Sequence, residues 1–446
     1  MSAHAADGSL PLVSVTPFLL LLASIATLPL FAPHFWERNR NKALISLLLG
    51  LPTALWLFFR VGSAGSRELH HALLDYTSFM ALLGSLFVIS GGILVRGSLS
   101  GTPLANTAML GLGAILASLI GTTGASVTLI RPFLRANEQR KKKVHLVIFF
   151  IFVVSNCGGL LTPLGDPPLF LAFLKGVPFA WTLRLWPVWA LVNGALLVVF
   201  NFYDQAMLNR QEREEPGSDL EKVLQHEPIR VEGWSNVVLL LAIVGTVIGK
   251  GQGWGNHGES WPFGVQEALM AAFAAISFWT TRRSIHLANR FAFAPIVEVG
   301  VLFAGIFVTM IAPLQILNVR GPELGLEEAW QFYWLTGFLS SFLDNAPTFL
   351  TFGAAAAGHM GVGVDTPRYL ADLLARGPEA HRLLAAVACG AVTMGANTYI
   401  GNGPNFMVKS IAEAHGVRMP SFVGYIGYSV VVLIPIFLAV SWIFFR

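Results

Sequence analysis

Asp166 and Asp344 are the residues whose chemistry stands out. Each is an acidic side chain inside a stretch that is otherwise apolar. Each also sits where the chain carries helix-breaking residues: Asp166 in Leu161-Thr162-Pro163-Leu164-Gly165-Asp166-Pro167-Pro168, and Asp344 in Asp344-Asn345-Ala346-Pro347. An ionisable group within lipid is costly, and such groups usually mark function. Two carboxylates sharing one dry pocket can exchange protons for a cation, which is the elementary step of an antiporter. Both have a plainer role as well. Asp166 is placed to cap a helix that opens with Pro167 and Pro168, and Asp344 to cap an arm that starts at Pro347. A Ser or Asn would cap equally well, so Asp adds a titratable charge.

Polar residues gather around the same points. Thr122, Thr123, Ser126, Ser155, Asn156, Thr162, Asn345, Asn397, Thr398, Asn402 and Asn405 all offer oxygen ligands. Hard cations such as Na⁺ prefer such ligands. Taken singly, each hydroxyl or amide reads as glue between helices; their clustering at breaks reads as a cation shell. Glu298 lies a few residues inside an apolar segment, as an interfacial side chain or a proton-pathway residue. Arg131 and Lys175, near segment ends, are expected to snorkel to the headgroups. His70-His71 reads as part of a solvated loop.

No enzyme is expected. Neither H-E-x-x-H nor G-x-S-x-G is present, and no Cys/His cluster forms a metal motif. Cys157 and Cys389 lie inside apolar segments and suggest no disulfide framework. No cofactor is expected beyond transported Na⁺ or H⁺, and no nucleic-acid partner.

The elements that hold these residues follow from composition. Of 446 residues 54% are hydrophobic and only 12% charged, about half the charge of a typical soluble chain. Lipid explains the deficit. Full spans are predicted over 12–32, 43–60, 76–95, 183–203, 235–250, 265–281, 292–313 and 421–445. Four further apolar stretches are interrupted: 106–134 at Gly121-Thr122-Thr123-Gly124, 144–176 at Thr162–Pro168, 330–357 at Asp344–Pro347, and 383–412 at Gly401–Pro404. The N-terminus lacks a basic n-region, so 12–32 reads as a first span rather than a cleaved signal peptide.

With the N-terminus outside, most of the 29 Lys and Arg fall on the inner face, Arg140–Lys143 and Arg282-Arg283 among them. That parity requires 106–134 to enter and leave on one face. Its two arms of about 14 residues would each reach only ~21 Å, short of a hydrocarbon core of ~30 Å, so a re-entrant hairpin is expected. The same logic makes 330–357 a hairpin entering from the opposite face. The predicted fold class is therefore an all-α polytopic membrane protein with two inverted repeats, re-entrant hairpins and broken helices. The expected layout is N-terminal spans over 1–75, a first repeat over 76–203, a cytoplasmic linker over 204–233, linking spans over 234–291 and a second repeat over 292–446. Thr122–Ser126 aligns with Asp344–Thr348, and Leu161–Pro168 with Asn397–Pro404, placing Thr162 on Thr398 and Pro168 on Pro404. Irregular backbone at membrane depth survives only where protein or water satisfies it, so four breaks at similar depth point to one central site.

At Ser155-Asn156-Cys157-Gly158-Gly159 through Gly165-Asp166-Pro167-Pro168, and at Asp344-Asn345-Ala346-Pro347-Thr348, the chain resembles the ion transporter superfamily. That group includes NhaD-type sodium/proton antiporters, CitMHS citrate carriers, arsenite transporters and dicarboxylate/sodium symporters. The resemblance covers roughly residues 76–440 and looks closest to the NhaD-like and CitMHS-like branches. It implies a homodimer in a bacterial inner membrane, with a scaffold part and a moving transport part in each protomer. The NhaD-like pattern would put cation-binding carboxylates at Asp166 and Asp344. There are departures. Dicarboxylate symporters carry Ser-Asn-Thr at both hairpin tips, where this chain has Thr122-Thr123-Gly124 and Asp344-Asn345-Ala346, and the prolines after Asp166 differ from NhaD. Sodium/proton antiport is the leading expectation, because basic residues avoid the predicted centre. Transport of citrate or another organic anion, and arsenite efflux, are the alternatives. A channel would not need proton-coupled carboxylates.

Overall fold

The computed structural model describes residues 10–98, 101–214, 227–257 and 259–446. The middle of the predicted cytoplasmic linker lies outside the described residues. Among those described, eight helices are long and apolar enough to cross a membrane, or nine when one bent pair is taken as a single span. The protein is an all-α, multi-pass membrane protein.

Six of the predicted full spans appear as long helices: α1 (Thr16–Phe31), α2 (Asn39–Trp56), α3 (Ser63–Gly91), and, later in the chain, the helices over Trp186–Glu214, Trp234–Gln252 and Phe422–Val440. Leu19, Leu20, Leu47 and Leu48 are exposed on α1 and α2, as lipid-facing positions require. α3 has 29 residues, or about 44 Å at 1.5 Å per residue, and so overshoots the hydrocarbon core. Its first turns carry His70 and His71, which are helical rather than part of a loop. The polar residues there extend the helix out of the apolar layer instead of ending it.

A short antiparallel ribbon follows. β1 (Leu94–Ser98) pairs with β2 (Glu227–Glu232), with Val95 opposite Val231 and an Arg96–Glu232 ion pair of 2.7 Å. Between them lie both interrupted stretches of the first half. α4 (Pro103–Ile120) and α5 (Thr122–Ala136) are separated only at Gly121, whose φ of 82° and ψ of 149° suit glycine alone. They fold back as a hairpin. Asn106 near the start of α4 and Asn137 just past α5 exchange amide hydrogen bonds of 2.9 and 2.8 Å. α4 is longer than predicted, at 18 residues, because Thr102 and Pro103 start it earlier as cap and first-turn proline.

α6 (Val144–Val153) is apolar on every side and buried from His145 to Val153, as expected of a helix at the centre of a bundle. The chain then unwinds until α7 (Pro167–Leu174). α8 (Trp186–Glu214) returns across the membrane and delivers Asp204 beneath the first hairpin. There the fully buried Asp204 accepts from Arg140, from Asn106 Nδ2 at 3.0 Å and from His145 Nε2 at 2.9 Å. Arg140, assigned with Lys141–Lys143 to the basic run on the inner face, is 2% exposed. A buried charge of this kind persists because its partners are complete.

α9 (Trp234–Gln252) and α10 (Val265–Thr280) pack on α3. α10 has 16 residues, shorter than the predicted span. The predicted 292–313 span is the bent pair α11 (Ala294–Thr309) and α12 (Ile311–Arg320), which meet at 44°. The second half then repeats the interruptions. α13 (Ala329–Ser340) and α14 (Asn345–His359) form the second hairpin, with Phe332 near the start of one against His359 at the end of the other. α15 (Pro378–Met394) unwinds before α16 (Gly403–Ala414), and α17 (Phe422–Val440) closes the chain.

Candidate functional site

All four interruptions meet at Asp166. Its carboxylate is 2% exposed. Oδ1 accepts from Thr122 Oγ1 at 2.8 Å, the first residue of α5. Oδ2 accepts from Asn345 Nδ2 at 2.7 Å, the first residue of α14. Asn402 Nδ2, just before α16, lies 3.4 Å from Oδ1. One side chain therefore touches both hairpins and the second broken helix while belonging to the first.

The local sequence explains why this carboxylate is free to do so. Asp166 occupies the cap position of α7 yet makes no side-chain cap bond. A capping oxygen needs the N–H groups of the first turn, and Pro167 and Pro168 remove the first two. Stripped of those local donors, the carboxylate faces across the molecule. Asp344 behaves oppositely. It is half-buried, and its Oδ1 accepts from Ala346 N at 3.1 Å, an ordinary cap. The residue brought to Asp166 is Asn345, one position further along.

A wider amide network surrounds the carboxylate. Asn402 Nδ2 also reaches Ser155 O at 3.1 Å and Asn156 Oδ1 at 3.2 Å. Asn156 Nδ2 donates to Asn405 Oδ1 at 2.7 Å, and Asn405 Nδ2 donates to Gly395 O and Thr398 O, both at 2.9 Å. Ser126 and Ser155 share a hydroxyl contact of 2.8 Å. Thr123 lines the cleft beside Thr122 and Asp166 without belonging to this network. Ser340 Oγ donates to Asn345 Oδ1 at 2.7 Å, which fixes the amide that faces Asp166. The sequence signal for Ser340 and for the other bracing serines, Ser118 and Ser341, is weak, since serine is common between packed membrane helices.

Thr162, Asn397 and Thr398 brace the breaks. Thr162 Oγ1 donates to Ser118 O and accepts from Leu164 N at 3.1 Å. Thr398 Oγ1 donates to Ser341 O at 2.5 Å and accepts from Ile400 N at 3.2 Å. Asn397 Nδ2 donates to Ser341 Oγ at 2.9 Å. The two broken helices match closely: φ and ψ are −146° and 147° at Asp166 against −152° and 140° at Asn402. A Cβ at Gly165 would strike Gly159 O, and one at Gly401 would strike Gly395 O. The predicted pairing of Thr162 with Thr398 agrees with this geometry. The hairpins match one residue away from the predicted register: Thr122 and Asn345 are the equivalent helix starts, and Gly121 pairs with Asp344.

Three outlying charges are placed differently from expectation or more closely held. Lys175 does not snorkel; its Nζ pairs with Asp75 Oδ2 at 2.5 Å and lies over the Tyr369 ring. Glu298 pairs with Lys42 at 2.6 Å, and the lysine side chain is 4% exposed. Arg131 is half-buried, with Nη1 lacking a hydrogen-bond partner among the described residues. Cys157 and Cys389 are buried free thiols.

A cleft opens on Asp166 between the first hairpin tip, α3 and the start of α11; Leu86, Thr123, Pro167 and Pro295 line it. A hydrophilic centre of this kind, tied to unwound backbone inside an apolar bundle, is what carriers use to hold a solute. A family model described as "Putative citrate transport" matches residues 7–445. The chain belongs to this family. Membership makes it a transporter and agrees with the CitMHS-like side of the resemblance. No curated protein matches the chain.

Proposed function

We propose that the protein is a secondary active transporter coupled to a cation, and that sodium/proton antiport through Asp166 is its activity. One observation carries this reading. Asp166 is buried at the meeting point of four helix interruptions, and no ion pair among the described residues includes it. A buried carboxylate without a countercharge is costly, and a proton or a metal cation neutralises it equally well. Thr122 Oγ1 and the carbonyl and amide oxygens of Ser155, Asn156 and Asn402 supply hard ligands close by. Cation entry and proton release are then alternatives on the same oxygens.

In this reading the two halves are inverted repeats, their hairpins are re-entrant from opposite faces, and Arg140–Lys143 lie in the cytoplasm. The matched breaks and the distribution of basic residues support it. A homodimer in a bacterial inner membrane follows from the superfamily resemblance. A second reading is uptake of citrate or another organic anion coupled to the same carboxylate, and the family's description favours it. One proteoliposome experiment separates the two. Internal pH is followed on adding Na⁺, Li⁺ or K⁺, with citrate and arsenite uptake measured in parallel. A pH change on adding an alkali cation, without citrate uptake, supports antiport. Cation-dependent citrate uptake supports the second reading, and neither response would refute both.

A further inference from the structure

Beside the Asp166 cleft lies a second cavity, and the two share Phe87 and Pro295 in their walls. They run along one stripe of α5. Gly124 lines the first, and Val127 and Arg131 line the second, at the i, i+3, i+7 spacing of a single helix face. The opposite wall is the end of α3 and the loop before α11, which contributes Arg290.

Arg131 and Arg290 thus both contribute to the wall of one cavity, and no acidic residue among the described residues lines it with them. Among the described residues, the charges that act on Arg131 are those of Arg290 and Arg135, both positive. Arg131 Nη1 is buried with no partner among the described residues. A buried charged donor left unmatched calls for an explanation. Arg290 adds a second oddity, since its φ of 48° lies in the left-handed region that a long side chain rarely adopts. Its loop is held there by Asn289, whose Nδ2 donates to Gly91 O at 2.9 Å and to Ile93 O at 2.8 Å. Backbone strain retained at a pinned loop is typical of a place where a side chain must point one way.

We propose that the Arg131–Arg290 cleft is an anion site for a small multivalent carboxylate, separate from the Asp166 centre. Each guanidinium presents a planar fork that fits one carboxylate in a bidentate manner, so a di- or tricarboxylate ion can engage both at once. Such an ion would join α5 to the loop before α11. The choice of carboxylate rests on the organic-anion reading of transport; the anion site itself does not. A lipid headgroup phosphate shares the same chemistry, and the test separates the two.

Full-length protein in nanodiscs of phosphatidylcholine alone is titrated with citrate, succinate and inorganic phosphate at constant ionic strength by calorimetry. Citrate is expected to bind, and Arg131→Gln and Arg290→Gln each to weaken it about tenfold or more, the loss of a charge-assisted hydrogen bond. Arg290 is exposed on a loop, so its variant tests the site without burdening the fold. Citrate binding that depends on both arginines, in a protein that fails to transport citrate, supports the site and removes the organic-anion reading. The proposal is overturned by no binding of any of the three anions, or by citrate affinity unchanged in both arginine variants. It is also overturned if adding phosphatidylglycerol abolishes citrate binding, which would assign the cleft to headgroups.

Discussion

Asp166→Asn is the sharpest perturbation of the proposed centre, because the structure allows it to be accommodated. The new side chain keeps the shape and keeps an oxygen towards Thr122 Oγ1, now 2.8 Å away. Its amide nitrogen would oppose Asn345 Nδ2, which donates to the carboxylate at 2.7 Å. Turning over the Asn345 amide resolves the clash, since Ser340 Oγ can then accept from it while donating to Ala391 O, 2.6 Å away. The net change is charge-assisted bonds exchanged for neutral ones, offset by removal of a buried charge, so stability should stay within about 2 kcal/mol of wild type. Asp166→Ala is different. It leaves Thr122 and Asn345 as buried donors without acceptors, at about 1–3 kcal/mol each, whereas Asn402 retains Ser155 O and Asn156 Oδ1. A loss of about 2–6 kcal/mol is a large part of the margin of a typical fold. The assay pairs thermal unfolding in detergent with cation-driven pH change in proteoliposomes. The Asn variant should unfold near wild type yet lose coupled flux, and the Ala variant should lose both. Wild-type flux with unchanged pH dependence in the Asn variant would show that Asp166 is only a structural knot.

Asp344→Asn should retain the cap on Ala346 N and reduce flux less than Asp166→Asn does, measured in the same liposomes; an equal or larger loss would place Asp344 on the ion path. Gly121→Ala should destabilise the first hairpin by about 1–3 kcal/mol, because its φ of 82° disfavours a side chain and the Cβ would sit 3.3 Å from Leu164 O; thermal unfolding checks it. Glu298→Gln should cost more stability than Lys42→Gln. Removing the glutamate strands an ammonium on a side chain 4% exposed, whereas removing the lysine leaves a carboxylate 39% exposed. Cysteines replacing Thr123 and Asn345 should cross-link readily, because their neighbours Thr122 and Asp166 bring the two hairpin tips together.

The breaks were legible in the sequence because lipid makes them conspicuous. Glycine at 121, paired prolines after 166 and the Asn-Gly-Pro run after 401 have no other use inside apolar stretches. What they bring together was less legible. Choosing between Asp344 and Asn345 depends on a one-residue register that capping geometry decides, and both residue types cap. The absence of a cap at Asp166 was deducible from Pro167-Pro168, but only by asking which backbone donors remain. Pairs such as Lys175 with Asp75, or Arg140 with Asp204, join residues far apart in the chain, so no local pattern announces them. The length of α3 escaped prediction because its polar first turns look like a loop when hydropathy is the only guide.

The meeting of four interruptions at a single carboxylate has a mechanical consequence. A solute that takes an oxygen of Asp166 competes with Thr122, and with Asn345 and Asn402, the two groups through which the second half of the chain holds the first at this carboxylate. Occupancy and cohesion therefore draw on the same few lone pairs. The filled and empty forms should differ in stiffness even where their shapes coincide. Hydrogen exchange at the first turns of α5, α14 and α16 would register that difference together, at all three places, on adding the right ion.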